Sequence, residues 1–356
     1  MSRATHRQEA RKRPAAGRKK KGARGASRRL AAFCSVALLA SFLALGFAGS
    51  FFLHHPRKWI ESRLENWPAF VTAPLVCFGG PFGDFLDAVG LAGHDAVYEY
   101  DEAAPSGSII FAGVPVRTGA PAPDDITILD RGDFLIGWSP SLRHPVWVAY
   151  HVPERFAYNS GARPPFEKDF SAKGSPHPNS YLRSGYDRGH MAPNHAITTR
   201  FGSEAQRLTF RMSNIAPQSP LLNRGVWREV ERRIADLWTG SYGEIWVVVG
   251  AVPSETGETI GSTGIDVPSA FWQVVVAQKG LDVRALALIY PQHPPEGLWP
   301  ARGLLSIDEL EELTGLDFLP ALPEFIQAPL EAELPSRLWP VGLWGALRQF
   351  AFHFNH

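Results

Sequence analysis

The chain has 356 residues, 45% of them apolar and 12% aromatic, enough to bury a sizeable core and too many for wholesale disorder. Its net charge of +1 hides an asymmetry: residues 1–29 carry twelve Lys/Arg and one acid, Glu9, leaving 24 basic and 34 acidic residues in the remainder. That balance excludes a uniformly basic nucleic-acid-binding domain, so any contact with a phosphate backbone must come from a local basic strip or through a metal.

After the basic tail, residues 30–53 form a run of 24 positions without a charge. A helix needs roughly 20 such residues to cross a bilayer. The run predicts a single-pass anchor, and the preceding basic block places residues 1–29 in the cytoplasm and the rest of the chain on the extracytoplasmic side. A cleaved signal peptide is the rival reading, since Ala44-Leu45-Gly46 and Ala48-Gly49-Ser50 have the small residues of a cleavage site. One of the two cysteines, Cys34, lies in this run, which leaves Cys77 without a partner for a disulfide framework. Residues 54–107 read as a juxtamembrane linker. Trp59, Ile60, Leu64 and Trp67 recur there at helical spacing.

From residue 108 the text becomes β-like. Residues 126–135 and 146–152 are apolar-rich, joined by the turn-rich Trp138-Ser139-Pro140-Ser141, and predict a hairpin or meander. Residues 159–185, rich in Gly, Pro and Ser, predict a long loop. A helix should begin at Leu222 or Asn223 and stop near Thr239-Gly240. Residues 245–252, 271–277 and 283–290 predict strands, the last two joined at Lys279-Gly280. Ser306 and Glu309 form a capping-box pattern that opens a helix to Thr314, closed by Gly315. Strands and helices alternate without βαβ regularity, which predicts an α+β fold with a mainly antiparallel sheet flanked by helices. The domain expected to carry function spans 108–335, followed by an aromatic tail at 336–356.

Two clusters carry chemistry. The first is Asp187-Arg188-Gly189-His190; the second is Asn214-Ile215-Ala216-Pro217-Gln218, followed by Asn223 and Trp227. Cleaving a phosphodiester requires deprotonating a water, neutralising phosphoryl charge and stabilising the leaving alkoxide. A histidine can take the proton near neutral pH. Magnesium can supply the Lewis acid, and because it keeps several waters one amide oxygen such as that of Asn223 can hold it. Asn223, Trp227 and Glu231 are spaced by four and would share a helix face.

DRGH followed by SNIAPQ-x4-N-x3-W resembles the DNA/RNA non-specific endonucleases of the ββα-metal (His-Me finger) type, which include endonuclease G. The resemblance covers about residues 111–332, with WVAYHV at 147–152, Arg163 and Asp169, and GLDF at 315–318. It implies that His190 is the general base and Asn223 the ligand of Mg2+, or of another divalent cation such as Mn2+. Asn214 helps to position the site, Glu231 orders a metal water, and Arg188 and Arg163 meet phosphate. One departure stands out. A basic residue often follows the acid by about four positions, and Ala235 stands there instead. For other residues the plain reading is structural: Asp187 bonded to backbone or to Arg188, Trp227 in the core, Gln218 as a satisfied polar group, His195 as structural and His177 as solvated.

The reading is therefore a membrane-anchored, metal-dependent endonuclease acting on DNA and/or RNA. Its rivals are a catalytically silent nucleic-acid-binding scaffold and a phosphodiesterase for a small or lipid-linked substrate. Oligomeric state stays open, with a homodimer among the options.

Overall fold

The structure, a computed structural model, describes residues 98–99, 108–159, 161–279 and 282–341. The basic tail at 1–29, the expected anchor at 30–53, most of the linker at 54–107, Gly280 and residues 342–356 lie outside the described residues. Among those described, no helix is long and apolar enough to cross a membrane.

Short strands β1 (Tyr98–Glu99) and β2 (Val116–Arg117) precede a meander of β3 (Thr127–Asp130), β4 (Phe134–Ser139) and β5 (His144–Val152). The stretch expected as one strand over 126–135 is thus two. The polar Arg131-Gly132-Asp133 reverses the chain, with the Gly132 N–H donating to the Asp130 carboxylate at 2.7 Å. Trp138 and Ser139, expected in a turn, end β4 instead, and the reversal lies at residues 140–143. Next come β6 (Asp187–His190), helices α1 (Asn194–Phe201) and α2 (Ser203–Thr209), β7 (Ile215–Gln218), and helices α3 (Pro220–Arg224) and α4 (Val226–Arg232). A π-helical segment, Arg233–Trp238, runs on into α5 (Thr239–Tyr242). Strands β8 (Ile245–Val252), β9 (Ala270–Lys279) and β10 (Asp282–Pro291), short strands β11 (Leu304–Leu305) and β12 (Leu316–Asp317), and helices α6 (Ile307–Thr314) and α7 (Glu324–Ala332) complete the order.

The main sheet has the order β1-β10-β9-β8-β5-β4-β3, all antiparallel, with β11 also paired to β10. Its central strands are rich in valine because both faces are covered. In β8, Ile245, Val247 and Val249 join the core on one face, while Trp246 and Val248 join the core on the other. Helices α1 to α5 and the π-helical segment cover the first face through residues such as Ile197, Leu222, Trp227, Ile234 and Trp238. Helices α6 and α7 cover the second through Ile307, Leu310, Ile326 and Leu330. The capping box of Ser306 and Glu309 forms as the sequence predicts, and Gly315 closes α6.

The helix predicted from Leu222 or Asn223 starts earlier, at Pro220, because Ser219 caps it by accepting from the Leu222 N–H. It breaks at Gly225, where a Cβ would lie 2.3 Å from the Leu221 carbonyl oxygen. Its final turn runs past Gly240 to Gly243, whose φ of 82° reverses the chain. The fold also extends beyond the expected limits of 108–335. Tyr98 pairs with Val283 on β10, and Leu338, Trp339 and Val341 are buried in the core of the first face.

Candidate active site

Strands β6 and β7 form a separate antiparallel ribbon that places Asp187 opposite Gln218 and His190 opposite Ile215. Helix α3 follows β7 directly, so the two sequence clusters meet as two strands and a helix. Gly189 is required at the centre of β6, since a Cβ there would lie 2.1 Å from Gln218 Oε1. Gln218 is fully buried, and neither its Nε2 nor its Oε1 has a hydrogen-bond partner. The expectation of a satisfied amide is corrected: it fills the space above Gly189 by shape.

Asn214 is wholly buried and spends its amide on backbone. Its Oδ1 accepts from the Ala192 N–H, and its Nδ2 donates to the carbonyls of Ala192 and Thr209. It pins the chain two residues after His190 and does not line the cavity described next.

A cavity of about 1250 Å³ opens beside the ribbon, lined by His190, Asn223, Arg188, Arg163, Glu231 and Asp187 among others. His190 is wedged between aromatic rings, with centroids 4.7 Å from Phe210 and 5.4 Å from Phe166. Its Nε2 is buried without a hydrogen-bond partner. Burial, with the positive charge of Arg163 adding to it, pushes its pKa down to about 4. The imidazole is therefore neutral at physiological pH.

Asn223 donates its Nδ2 to Asp187 Oδ2 at 2.9 Å. Its Oδ1 is thereby left as the atom available to a cation. Arg224 grips the same carboxylate with two hydrogen bonds of 2.8 and 2.6 Å. Burial alone would raise the Asp187 carboxyl, but the bonds from Arg224 and Asn223 outweigh it and hold it below the usual range. Asp187 thus orients Asn223 and pairs with Arg224, whereas the sequence reading gave it backbone or Arg188 as partner.

Arg188 instead donates Nε and Nη2 to the Pro178 carbonyl and lies over Phe166. Three of its five N–H donors remain. Arg163 is exposed in the cavity wall. Glu231 has its carboxyl raised to about 8 by burial, against the nearby charge of Arg228. Gly225 interrupts the helix between Asn223 and Trp227, so the three residues spaced by four do not share one continuous helix. Asn223 and Glu231 still face the cavity, while Trp227 is buried edge-on against Phe271.

Ala235, where a basic residue was expected, is buried. Arg233 nearby is also buried, pairs with Glu229 and stacks over Trp299. His195 lines the cavity and meets Asp236 at 2.8 Å, and exposed His177 accepts from the Asn179 N–H. Sequence reasoning missed Arg224 and Arg228, which line the cavity with Arg232. Their spacing by four was the available signal. A group of three carboxylates, Asp308, Glu311 and Glu331, is also close enough to share a cation, but none of them lines this cavity.

Comparison with known proteins follows the same stretch of chain. The mitochondrial nuclease EXOG of Xenopus laevis is 31% identical over 215 residues, which cover 52% of this chain and 56% of that protein. The chain thus spans little more than half the length of that relative. Mitochondrial endonuclease G of Homo sapiens is 30% identical over 209 residues, covering 53% of this chain and 68% of that protein. A nuclease of Nostoc is 29% identical over 225 residues, covering 60% and 80%. A chain from the crystal structure of the EndoG/EndoGI complex shares 24% identity over 59% of this chain and 91% of its own, with a TM-score of 0.48. The family model of the DNA/RNA non-specific endonucleases matches residues 114–325, which includes both sequence clusters and every residue of the ribbon and of helices α1 to α5. The chain belongs to the DNA/RNA non-specific endonuclease family.

Proposed function

We propose that the protein is a divalent-metal-dependent endonuclease that hydrolyses phosphodiester bonds in DNA and/or RNA. The observation that carries this reading is the convergence, in one cavity, of a neutral histidine, an asparagine held by its amide nitrogen, and arginines with donors to spare. His190 takes a proton from the attacking water, whose oxygen forms the new bond to phosphorus as the ester P–O bond breaks. Arg188 and Arg163 face the phosphoryl oxygens, where charge accumulates.

The donor set also suits a hard cation. Asn223 offers a neutral amide oxygen, Glu231 a carboxyl that would give up its proton to the charge of a bound cation, and such an ion keeps the rest of its coordination as water. Asn223 would hold Mg2+ or Mn2+ directly, with Glu231 behind it. When bound, the cation acts as a Lewis acid toward the phosphoryl charge. Phosphate contacts position a strand without reading its bases, so sequence preference should be low.

The test is nicking of supercoiled plasmid by the full-length protein, with and without EDTA. Cleavage should require the divalent ion, and His190→Ala should lower kcat by roughly 10²- to 10⁴-fold without loss of DNA binding. Absence of metal-dependent cleavage by the wild type, with DNA binding intact in both proteins, would establish the scaffold reading instead.

We also propose, from the sequence alone, that residues 30–53 anchor the chain with the nuclease domain on the extracytoplasmic side. Added protease should then remove that domain from intact cells. Protection until lysis would overturn this orientation.

A further inference from the structure

One wall of the cavity continues onto an exposed aromatic surface. His195 lines the cavity, and the ring of Phe156 sits 6.3 Å from the His195 imidazole, tilted by 52°. Phe156 is 53% exposed. An exposed phenylalanine is ordinary in itself, and Phe170 and Phe325 are more exposed still. Among the described residues, neither of those makes a ring contact with the cavity wall.

Phe156 is distinguished by how it is held. The backbone N–H groups of Ala157 and Tyr158, directly after it, both donate to the Thr199 carbonyl on α1, at 2.9 and 3.0 Å. The guanidinium of Arg200 covers one face of the ring, 3.8 Å from its centroid. Arg200 is itself buried and fixed by the Pro153 carbonyl, the Thr199 hydroxyl and the Ala235 carbonyl. The cation thus occupies one side of the ring, and the residue as a whole stays 53% exposed. A flat group arriving there finds a surface already ordered, so little conformational entropy is lost on stacking. The cationic underside also suits a polyanionic ligand whose phosphate lies in the adjoining cavity.

We propose that Phe156, backed by Arg200, is a stacking subsite for the nucleobase next to the phosphodiester held in the cavity, and that the strand it serves is single. This rests on the nuclease reading above. Every nucleobase has a π-face, so the subsite tolerates any sequence. In a duplex both faces of an internal base are already stacked, so only an unpaired base can use it.

Two measurements on the full-length protein test the idea. In EDTA, quenching of a single-stranded oligonucleotide carrying 2-aminopurine reports stacking without cleavage. With Mg2+, kcat/KM is compared between single-stranded DNA and an abasic oligomer of equal length. Phe156→Ala should weaken quenching and lower kcat/KM for the base-bearing strand by about 5- to 100-fold, the range of one base–aromatic stack. It should leave the abasic strand unchanged, and Phe156→Trp should retain the wild-type preference. If the wild type cleaves and Phe156→Ala keeps the same ratio between the two strands, the subsite is wrong and the nuclease reading stands. If the wild type does not cleave but quenches in a Phe156-dependent way, the subsite stands and the nuclease reading falls. Neither quenching nor cleavage by the wild type overturns both.

Discussion

Burial of Glu231 has a consequence that stability measurements read directly. Its carboxyl is raised to about 8 in the fold, whereas an unfolded glutamate ionises near 4.5. Between those values the folded state holds a proton that the unfolded chain has released, so stability falls as pH rises through this window. Glu231→Gln removes the ionisable group. In EDTA the variant should gain stability at pH 8 on the order of 1–3 kcal/mol and show no gain at pH 4, measured by denaturant unfolding. The opposite change at pH 8 would mean that the carboxylate is ionised and stabilising in the empty site. His190 has the complementary behaviour. Its lowered pKa costs stability only in acid, as pH falls from the ordinary histidine range toward about 4, and keeps the base neutral above that. That His190 and Asn223, which both line the cavity, are candidates for one site was legible in the sequence from their residue types and motif spacing. The role of Asp187 was not, because its partners, Asn223 and Arg224, stand 36 and 37 residues away and only the ribbon brings them together.

At the scale of elements, the break at Gly225 sets the relation between Asn223 on α3 and Glu231 on α4. The spacing by four predicts a continuous helix, and nothing local in the sequence except the glycine contradicts it. The physical reason for the break is the close approach of the Leu221 carbonyl, which leaves no room for a side chain. Gly225→Ala forces this contact apart. A fall in stability of about 1–3 kcal/mol is expected. A larger loss of activity than Trp227-side packing alone would cause is also expected, because Asn223 moves relative to Glu231. Thermal unfolding and plasmid nicking measured on the same preparation check the prediction, and wild-type values for both would show that the helix bends for another reason. The central strands, by contrast, were legible almost to the residue. Residues 245–252 match β8, and β9 and β10 extend only a residue or two past their predicted ends. A strand buried on both faces announces itself as a continuous run of Val, Ile and Leu.

For the molecule as a whole, the core reaches beyond the stretch that the chemistry marks. Trp339 is 1% exposed, its carbonyl accepts from Trp238 Nε1 at 3.0 Å, and its ring lies 5.3 Å from Trp238 and 5.2 Å from Tyr242. Those partners belong to the helical segment that follows the site. Trp339→Ala should therefore destabilise the protein by about 3–5 kcal/mol, visible as a large fall in Tm. A change within experimental error would separate residues 336–341 from the core. The sequence by itself determined the class of fold, the family resemblance and the candidates His190 and Asn223 for base and metal ligand, because periodicity and motif spacing are local properties of a chain. Only the tertiary structure decided which arginines border the cavity, how Asp187 orients Asn223, that the Glu231 carboxyl is raised to about 8, and that Phe156 stands at its edge over Arg200. Each of these depends on burial or on contacts between distant segments, and neither is written in the order of neighbouring residues.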